Sequence, residues 1–207
     1  MNNKKILVLA TGNQNKYHEI KEIMDIPDWE IKFLKDFPNT IIPEETGSTY
    51  EENAHIKAKT CADKLQLPSL ADDSGLEVNA LDRRPGVYSS RYGGVEGDSE
   101  KNIQKLLQEM EGIPWHERTA RFVCCAMFVL PDGFCHCEWG EIKGHISIQP
   151  YGEQGFGYDP VFVPLGYENT FAEFSAKEKN KISHRALAFQ KMAKFLRRFD
   201  YENSFSQ

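Results

Sequence analysis

Residues 69–75 read Ser-Leu-Ala-Asp-Asp-Ser-Gly, a short apolar approach that runs into two carboxylates, a hydroxyl and a glycine. Because Asp is depleted from strand interiors, the pattern predicts a strand that stops at Asp72 and Asp73, where the backbone turns. Like charges at close range disfavour each other, so adjacent carboxylates in a dry site need a cation. A divalent metal meets that need, and magnesium is usually held by one or two carboxylates together with the phosphates of its substrate. The same residues also suit an ordinary capped turn, so the stretch by itself leaves both readings open.

On the N-terminal side, Lys4 to Ala10 is leucine-rich and β-branched, Thr11-Gly12-Asn13 interrupts it, and Tyr17, Ile20, Ile23 and Met24 recur at helical spacing. A strand, a tight loop and a helix in that order aim backbone N–H groups and a helix N-terminus beyond the strand end, which suits a phosphate. Lys16 adds a full positive charge there. The loop is not a Walker A motif, because the second glycine before the lysine and the Ser/Thr after it are missing. Trp29 to Leu34 reads as a second strand, and the loop after it, with Pro38 and Pro43, ends in Glu44-Glu45-Thr46-Gly47. Ser48-Thr49-Tyr50-Glu51 has the layout of a capping box, and Ala54, Ala58, Cys61, Ala62 and Leu65 carry a helix to about Gln66, closed by Pro68. Glu44 and Glu45 either favour that helix's positive end or reach the same cation as Asp73.

On the C-terminal side, Leu76 to Leu81 alternates like another strand, and Arg83 to Gly94 is a loop rich in arginine, glycine and tyrosine, suited to an anion, a subunit contact or a solvated turn. Asp98 is placed to cap a third helix whose apolar stripe is Ile103, Leu106, Leu107 and Met110. Thr119 to Leu130 and Phe134 to Ile148 form a hairpin about Pro131-Asp132-Gly133. Between Gly152 and Asp159, three glycines surround Phe156 and Tyr158, a composition that permits close backbone approach and stacking of a purine. Lys177, Lys179 and Lys181 precede Ser183-His184-Arg185, where Ser183 caps a last helix carrying Leu187, Met192, Phe195, Leu196 and Phe199. Those cations gather at one helix start.

The chain has 207 residues and a formal net charge of -6, which argues against a general nucleic-acid coat or an anionic membrane surface. It shows no apolar run long enough to span a bilayer and no signal-peptide layout, so a cytoplasmic protein is expected. Five cysteines, an odd number without a secretory signal, favour reduced thiols. Cys124-Cys125 and Cys135-x-Cys137 lack the spacing of a zinc ribbon or finger and read as small apolar strand residues, with a zinc site as the lesser alternative. Strand and helix patterns interleave early and a long hairpin follows, so the sheet is expected to be mixed.

Thr11-Gly12-Asn13-Gln14-Asn15-Lys16, Glu44-Glu45-Thr46-Gly47, Glu52-Asn53-Ala54, Ala71-Asp72-Asp73-Ser74-Gly75, Ser90-Arg91-Tyr92, Gly155-Phe156-Gly157-Tyr158-Asp159-Pro160 and Ser183-His184-Arg185 occur in one order. In that order and approximate spacing they resemble the inosine/xanthosine triphosphate pyrophosphatase family, over about residues 5 to 199. The resemblance implies an α/β fold with an elongated mixed β-sheet flanked by helices, two lobes around a central nucleotide-binding cleft, and a homodimer. It implies one catalytic domain over residues 1–200 and leaves residues 201–207 as a polar tail. The implied activity is Mg²⁺-dependent hydrolysis of ITP, dITP and XTP to the monophosphate and pyrophosphate. Residue by residue, it makes Asp73 the catalytic acid and a metal ligand, with Glu45 its partner on the metal. Thr11, Gly12, Asn13, Gln14, Asn15 and Lys16 become the phosphate loop and Ser74 a substrate contact. Phe156, Gly157, Tyr158 and Asp159 become the base loop, and Lys179, His184 and Arg185 further nucleotide contacts. Two rivals stay open at this point: a pyrophosphatase for pyrimidine or modified triphosphates, and a nucleotide-binding protein without turnover.

Overall fold

The computed structural model describes residues 4–38, 40 and 43–199. In chain order the elements are β1 (Lys5–Leu9), α1 (Gln14–Ile23), β2 (Trp29–Phe33), α2 (Tyr50–Leu65), β3 (Ser69–Val78) and α3 (Ser99–Glu109). They continue with β4 (Thr119–Val129), β5 (Cys135–Ile146), β6 (Phe162–Pro164), α4 (Ala176–Ile182) and α5 (His184–Leu196). The strands form one six-stranded sheet in the order β2-β1-β3-β4-β5-β6. β1 lies parallel to β2 and to β3, whereas β5 and β6 are antiparallel. The mixed α/β sheet flanked by helices is therefore as the sequence predicts.

The chain divides into two compact units, one made of Met1–Asp73, Cys125–Trp139 and Ala188–Gln207, the other of Ser74–Cys124 and Gly140–Leu187. In the first, Leu7, Val8 and Leu9 of β1 are wholly buried, as expected of a parallel strand covered on both faces. α2 buries Ala54, Ala58, Cys61 and Ala62, small side chains that let its backbone approach closely. Phe128 packs edge-on against Trp29, Phe134, Phe195 and Phe199, a geometry favoured by the ring quadrupoles.

In the second unit, Leu76, Val78, Ile103, Leu106, Phe122, Phe162 and Phe171 belong to one apolar cluster. Arg118 of the same unit is buried among backbone carbonyls. Its guanidinium donates to the carbonyls of Met110 at 2.8 Å, Ile146 at 2.7 Å and Ser147 at 2.8 Å, so one side chain satisfies the backbone where α3, β5 and the turn after it meet.

Several local expectations are corrected. The strand does not stop at the carboxylates: β3 runs unbroken from Ser69 through Asp72 and Asp73 to Val78, because charged partners compensate the two side chains. The capping box of α2 is Thr49 with Glu52, one residue later than predicted. The lysines before Ser183 do not all gather at the start of the last helix. They lie on α4, which has its own box of Ser175 with Glu178, and Ser183 Oγ then accepts from the Ala186 N–H of α5 at 3.1 Å. The predicted Asp98 cap is present, accepting from the Lys101 N–H at 3.0 Å.

All five cysteines are free thiols, and the zinc alternative finds no ligand set among the described residues. No described helix is long and apolar enough to cross a membrane. The polar tail, residues 201–207, lies outside the described residues.

Replacing Arg118 by Met keeps the bulk and removes the donors. The expected cost is about 2–6 kcal/mol, since the Ile146 and Ser147 carbonyls each lose a buried donor at roughly 1–3 kcal/mol while the Met110 carbonyl keeps the Ile113 N–H; urea unfolding of the two proteins checks it.

Candidate functional site

In the first unit, the loop between β1 and α1 is held by its own side chains. Thr11 Oγ1 accepts from the Asn13 N–H at 3.1 Å, and Asn13 Oδ1 accepts from the N–H groups of Asn15 at 2.9 Å and Lys16 at 3.2 Å. Asn13 is thus the N-cap of α1, and the cap engages part of the helix's anion-attracting end. Gln14 meets His18 at 3.0 Å on the exposed side. The charge offered from this loop is Lys16, whose Nζ lies 3.0 Å from Asp72 Oδ2.

Successive residues of a strand face opposite sides, so Asp72 and Asp73 have different partners. Asp73 Oδ1 accepts from Lys57 Nζ at 2.9 Å, and the same ammonium reaches Glu45 Oε1 at 2.6 Å. Asn53, one turn before Lys57 on α2, donates to Asp73 Oδ2 at 3.4 Å and accepts from the Gly47 N–H at 2.8 Å. A Cβ at Gly47 would stand 2.6 Å from Glu52 Cβ and 2.7 Å from Asn53 Oδ1, so only glycine lets the acidic loop come this close. Glu44 is exposed, and Glu45 is the member of the pair that joins the cluster.

Burial, the largest effect, pushes the Asp73 carboxyl above its ordinary value, with Glu45 adding to the rise and Lys57 and Lys16 opposing it. Burial alone would lower the Lys57 ammonium, but Asp73, Glu45 and Asp72 together hold it above its ordinary value. Two carboxylates therefore converge on one point of positive charge. That donor set fits magnesium, a hard cation which takes one or two carboxylates and completes its shell with water and phosphate. No group of three acidic, His or Cys side chains is placed for a metal among the described residues, so the protein's share would be Glu45 and Asp73.

In the second unit, Asp159 folds back on the loop before it. Its Oδ2 accepts from the Phe156 N–H at 2.9 Å and from Lys179 Nζ at 2.6 Å. A Cβ at Gly155, where φ is +75°, would collide with that carboxylate, so the turn requires glycine both for its backbone and for the approach. The Phe156 ring has Lys179 Nζ 4.7 Å and the Arg185 guanidinium 5.4 Å from its centre, within cation–π reach. Arg185 also donates to Ser74 Oγ at 2.9 Å, and Ser74 directly follows Asp73 in the chain.

Of the residues singled out in the sequence, Thr11 to Lys16 form one loop, Glu45 and Asp73 share one ammonium, and Ser74, Phe156, Asp159, Lys179 and Arg185 form a third connected set. Gly157, at φ +63°, leaves the same loop open beside Phe156. The Tyr158 hydroxyl donates to the Ser89 carbonyl at 2.9 Å, which occupies it inside the unit. The His184 ring stacks on Phe122 at 4.6 Å. Lys177 and Lys181 are exposed on α4, and only Lys179 of the three lysines turns inward. Lys57 and Asn53 carry more of the geometry than the sequence reading assigned them. A lysine among Ala54, Ala58 and Cys61 on the buried stripe of α2 was the available signal.

A family model described as Ham1 family matches residues 7–195. A protein of Halalkalibacterium halodurans named dITP/XTP pyrophosphatase is 45% identical over 189 residues, 91% of this chain and 97% of that protein. The Staphylococcus aureus Ham1 protein superposes with a TM-score of 0.83 at 40% identity, over 93% of this chain and 98% of that one. A HAM1 protein from Coxiella burnetii superposes with a TM-score of 0.85 at 38% identity, with the same coverage.

Because folding raises the Asp73 pKa, its contribution to stability is complete below the unfolded value and is lost as pH rises through the folded one. Lys57→Met removes the cation that limits that loss. In metal-free protein the variant is expected to be about 3–5 kcal/mol less stable than the parent near pH 8, with the gap narrowing as pH falls and the carboxyls take up protons. Urea unfolding in chelator at several pH values reads this directly.

Proposed function

Since the chain belongs to the Ham1 family, we propose that it hydrolyses non-canonical purine nucleoside triphosphates, dITP, XTP and ITP, to the monophosphate and pyrophosphate. The observation that supports this most is the convergence of Glu45 and Asp73 on one cation, with Lys16 set against the neighbouring Asp72. In this reading the cluster of the first unit handles the triphosphate.

Glu45 and Asp73 would hold Mg²⁺, which when bound offsets charge on the phosphates and on the departing pyrophosphate. Asp73 orients a water for in-line attack on the α-phosphorus and accepts its proton. A carboxyl raised by burial is better matched to that task near neutral pH than an ordinary one. Lys57 keeps the Asp73 carboxylate in position, while Asn53 ties it to the acidic loop. Lys16, part-exposed at the mouth of its loop, supplies charge to the phosphates.

For the base, the Phe156 ring offers a stacking face, and Arg185 a donor suited to a 6-oxo group, which inosine and xanthosine have and adenosine lacks. The homodimer and the cytoplasmic location belong to the same reading, supported by the family resemblance, and light scattering reads the first.

The test is incubation with ITP, ATP and GTP separately, with and without Mg²⁺, and chromatography of the products. IMP and pyrophosphate from ITP, only with metal, are expected; IDP and orthophosphate would place attack at the γ-phosphorus and overturn the role of Asp73. Asp73→Asn should lower ITP turnover by at least about 100-fold. Arg185→Ala should lose the preference for ITP over ATP, and an unchanged preference would put the 6-oxo donor elsewhere.

A further inference from the structure

A cavity of about 580 Å³ opens at the C-terminal end of α5 in the first unit, and none of its lining residues belongs to the Asp73 cluster. Lys191, Lys194 and Arg198 line it, the two lysines three residues apart on one face of α5 and Arg198 in the turn just beyond it. The side chains of Lys194 and Arg198 make no hydrogen bond or ion pair among the described residues. The one carboxylate in the lining, Glu138, is engaged by the His136 ring at 3.1 Å. Among the described lining residues three cations thus face a single acid, Lys191 Nζ also donating to the Trp139 carbonyl at 2.6 Å, in a protein whose net charge is -6.

The remaining wall is aromatic. Phe195 stacks on His136 at 3.8 Å with 15° between the planes, and Phe199 packs against it at 5.2 Å. Cations in the last turn of a helix also offset its negative end. That role explains the charge but not the cavity, and like charges so close are unfavourable unless something neutralises them.

We propose that this cavity binds a small phosphorylated ligand carrying a flat ring, a nucleotide distinct from the substrate held at the Asp73 cluster. Its volume lies within the range of small-molecule sites, about 300–1,000 Å³. Lys194 and Arg198 meet the phosphate by charge-assisted hydrogen bonds, and the heterocycle packs along the wall that His136, Phe195 and Phe199 present to the cavity. The site is independent of the hydrolytic reading, because none of its residues takes part in that chemistry.

The experiment is acetylation of lysines in the intact chain, read by peptide mass spectrometry, with IMP as the probe. Bound ligand slows modification by the factor one plus concentration over Kd, so at four times Kd labelling of Lys194 should fall about fivefold, while exposed Lys143 is unaffected. High salt should remove the protection. Arg198→Gln with Lys191→Gln should also abolish it, with the melting temperature and ITP turnover of the parent retained. Should the double variant not fold, the salt-reversible protection in the parent remains the test. Equal labelling of Lys194 with and without IMP overturns the site. Protection by inorganic phosphate as strong as that by IMP overturns the nucleotide assignment, because the rings then contribute nothing.

Discussion

The Lys57 ammonium, 2.6 Å from Glu45 and 2.9 Å from Asp73, is the interaction on which the first unit's chemistry depends. Each charge taken out of water costs several kcal/mol, and mutual attraction offsets this only when geometry and further hydrogen bonds are good. The surroundings supply both. Small residues on α2 let the helix lie close, Asn53 holds Asp73 on one side and the Gly47 amide on the other, and Gly47 leaves room for that contact. Without the ammonium, the loop bearing Glu45 and the strand bearing Asp73 would present like charges to each other. An arrangement so expensive in desolvation, built from an acidic loop, a helix and a strand, makes more sense as preparation for a cation and a polyanion than as a stabilising device.

The second unit repeats the logic at Asp159. There too a buried carboxylate is matched by a buried lysine, Lys179 at 2.6 Å, and a glycine makes the approach sterically possible. Asp159 also accepts from the Phe156 amide and so locks a loop. Lys179 and Arg185 then frame the Phe156 ring. Arg118 shows the contrasting use of a buried cation: its named partners are all carbonyls, and its role is to close the backbone.

What was legible in the sequence was whatever depended on neighbours in the chain. The strand, loop and helix about Thr11 to Lys16, the hairpin, the Asp98 cap and the alternation of helices with strands all follow from local periodicity and turn chemistry. The continuous passage of β3 through two aspartates was not legible. The partners that make it tolerable are Lys16 and Lys57, 56 and 16 residues away in the chain, so strand propensity alone gave the wrong end point. β6 is three residues long and ends in proline, too short to carry a pattern. α4 was hidden by its lysines, although Ser175 with Glu178 marked its start. Lys57 escaped because apolar stripes are found by counting apolar residues, and the one charge within a stripe is then discarded as noise.

That omission has a general physical sense. A lysine on the buried face of a helix is a contradiction that the fold must resolve, by snorkelling, by deprotonation or by acids brought to it. Here the opposing carboxylates hold the ammonium charged and above its ordinary pKa despite burial. The resolution therefore brings two acids, Glu45 and Asp73, to one buried point. In a chain of net charge -6, long-range electrostatics repel a triphosphate, and capture rests on such local cations. Lys57 with Glu45 and Asp73, and Lys179 with Asp159, are matched by acids and so are part of the folded framework. Lys194 and Arg198 differ in kind, since no acid among the described residues matches them.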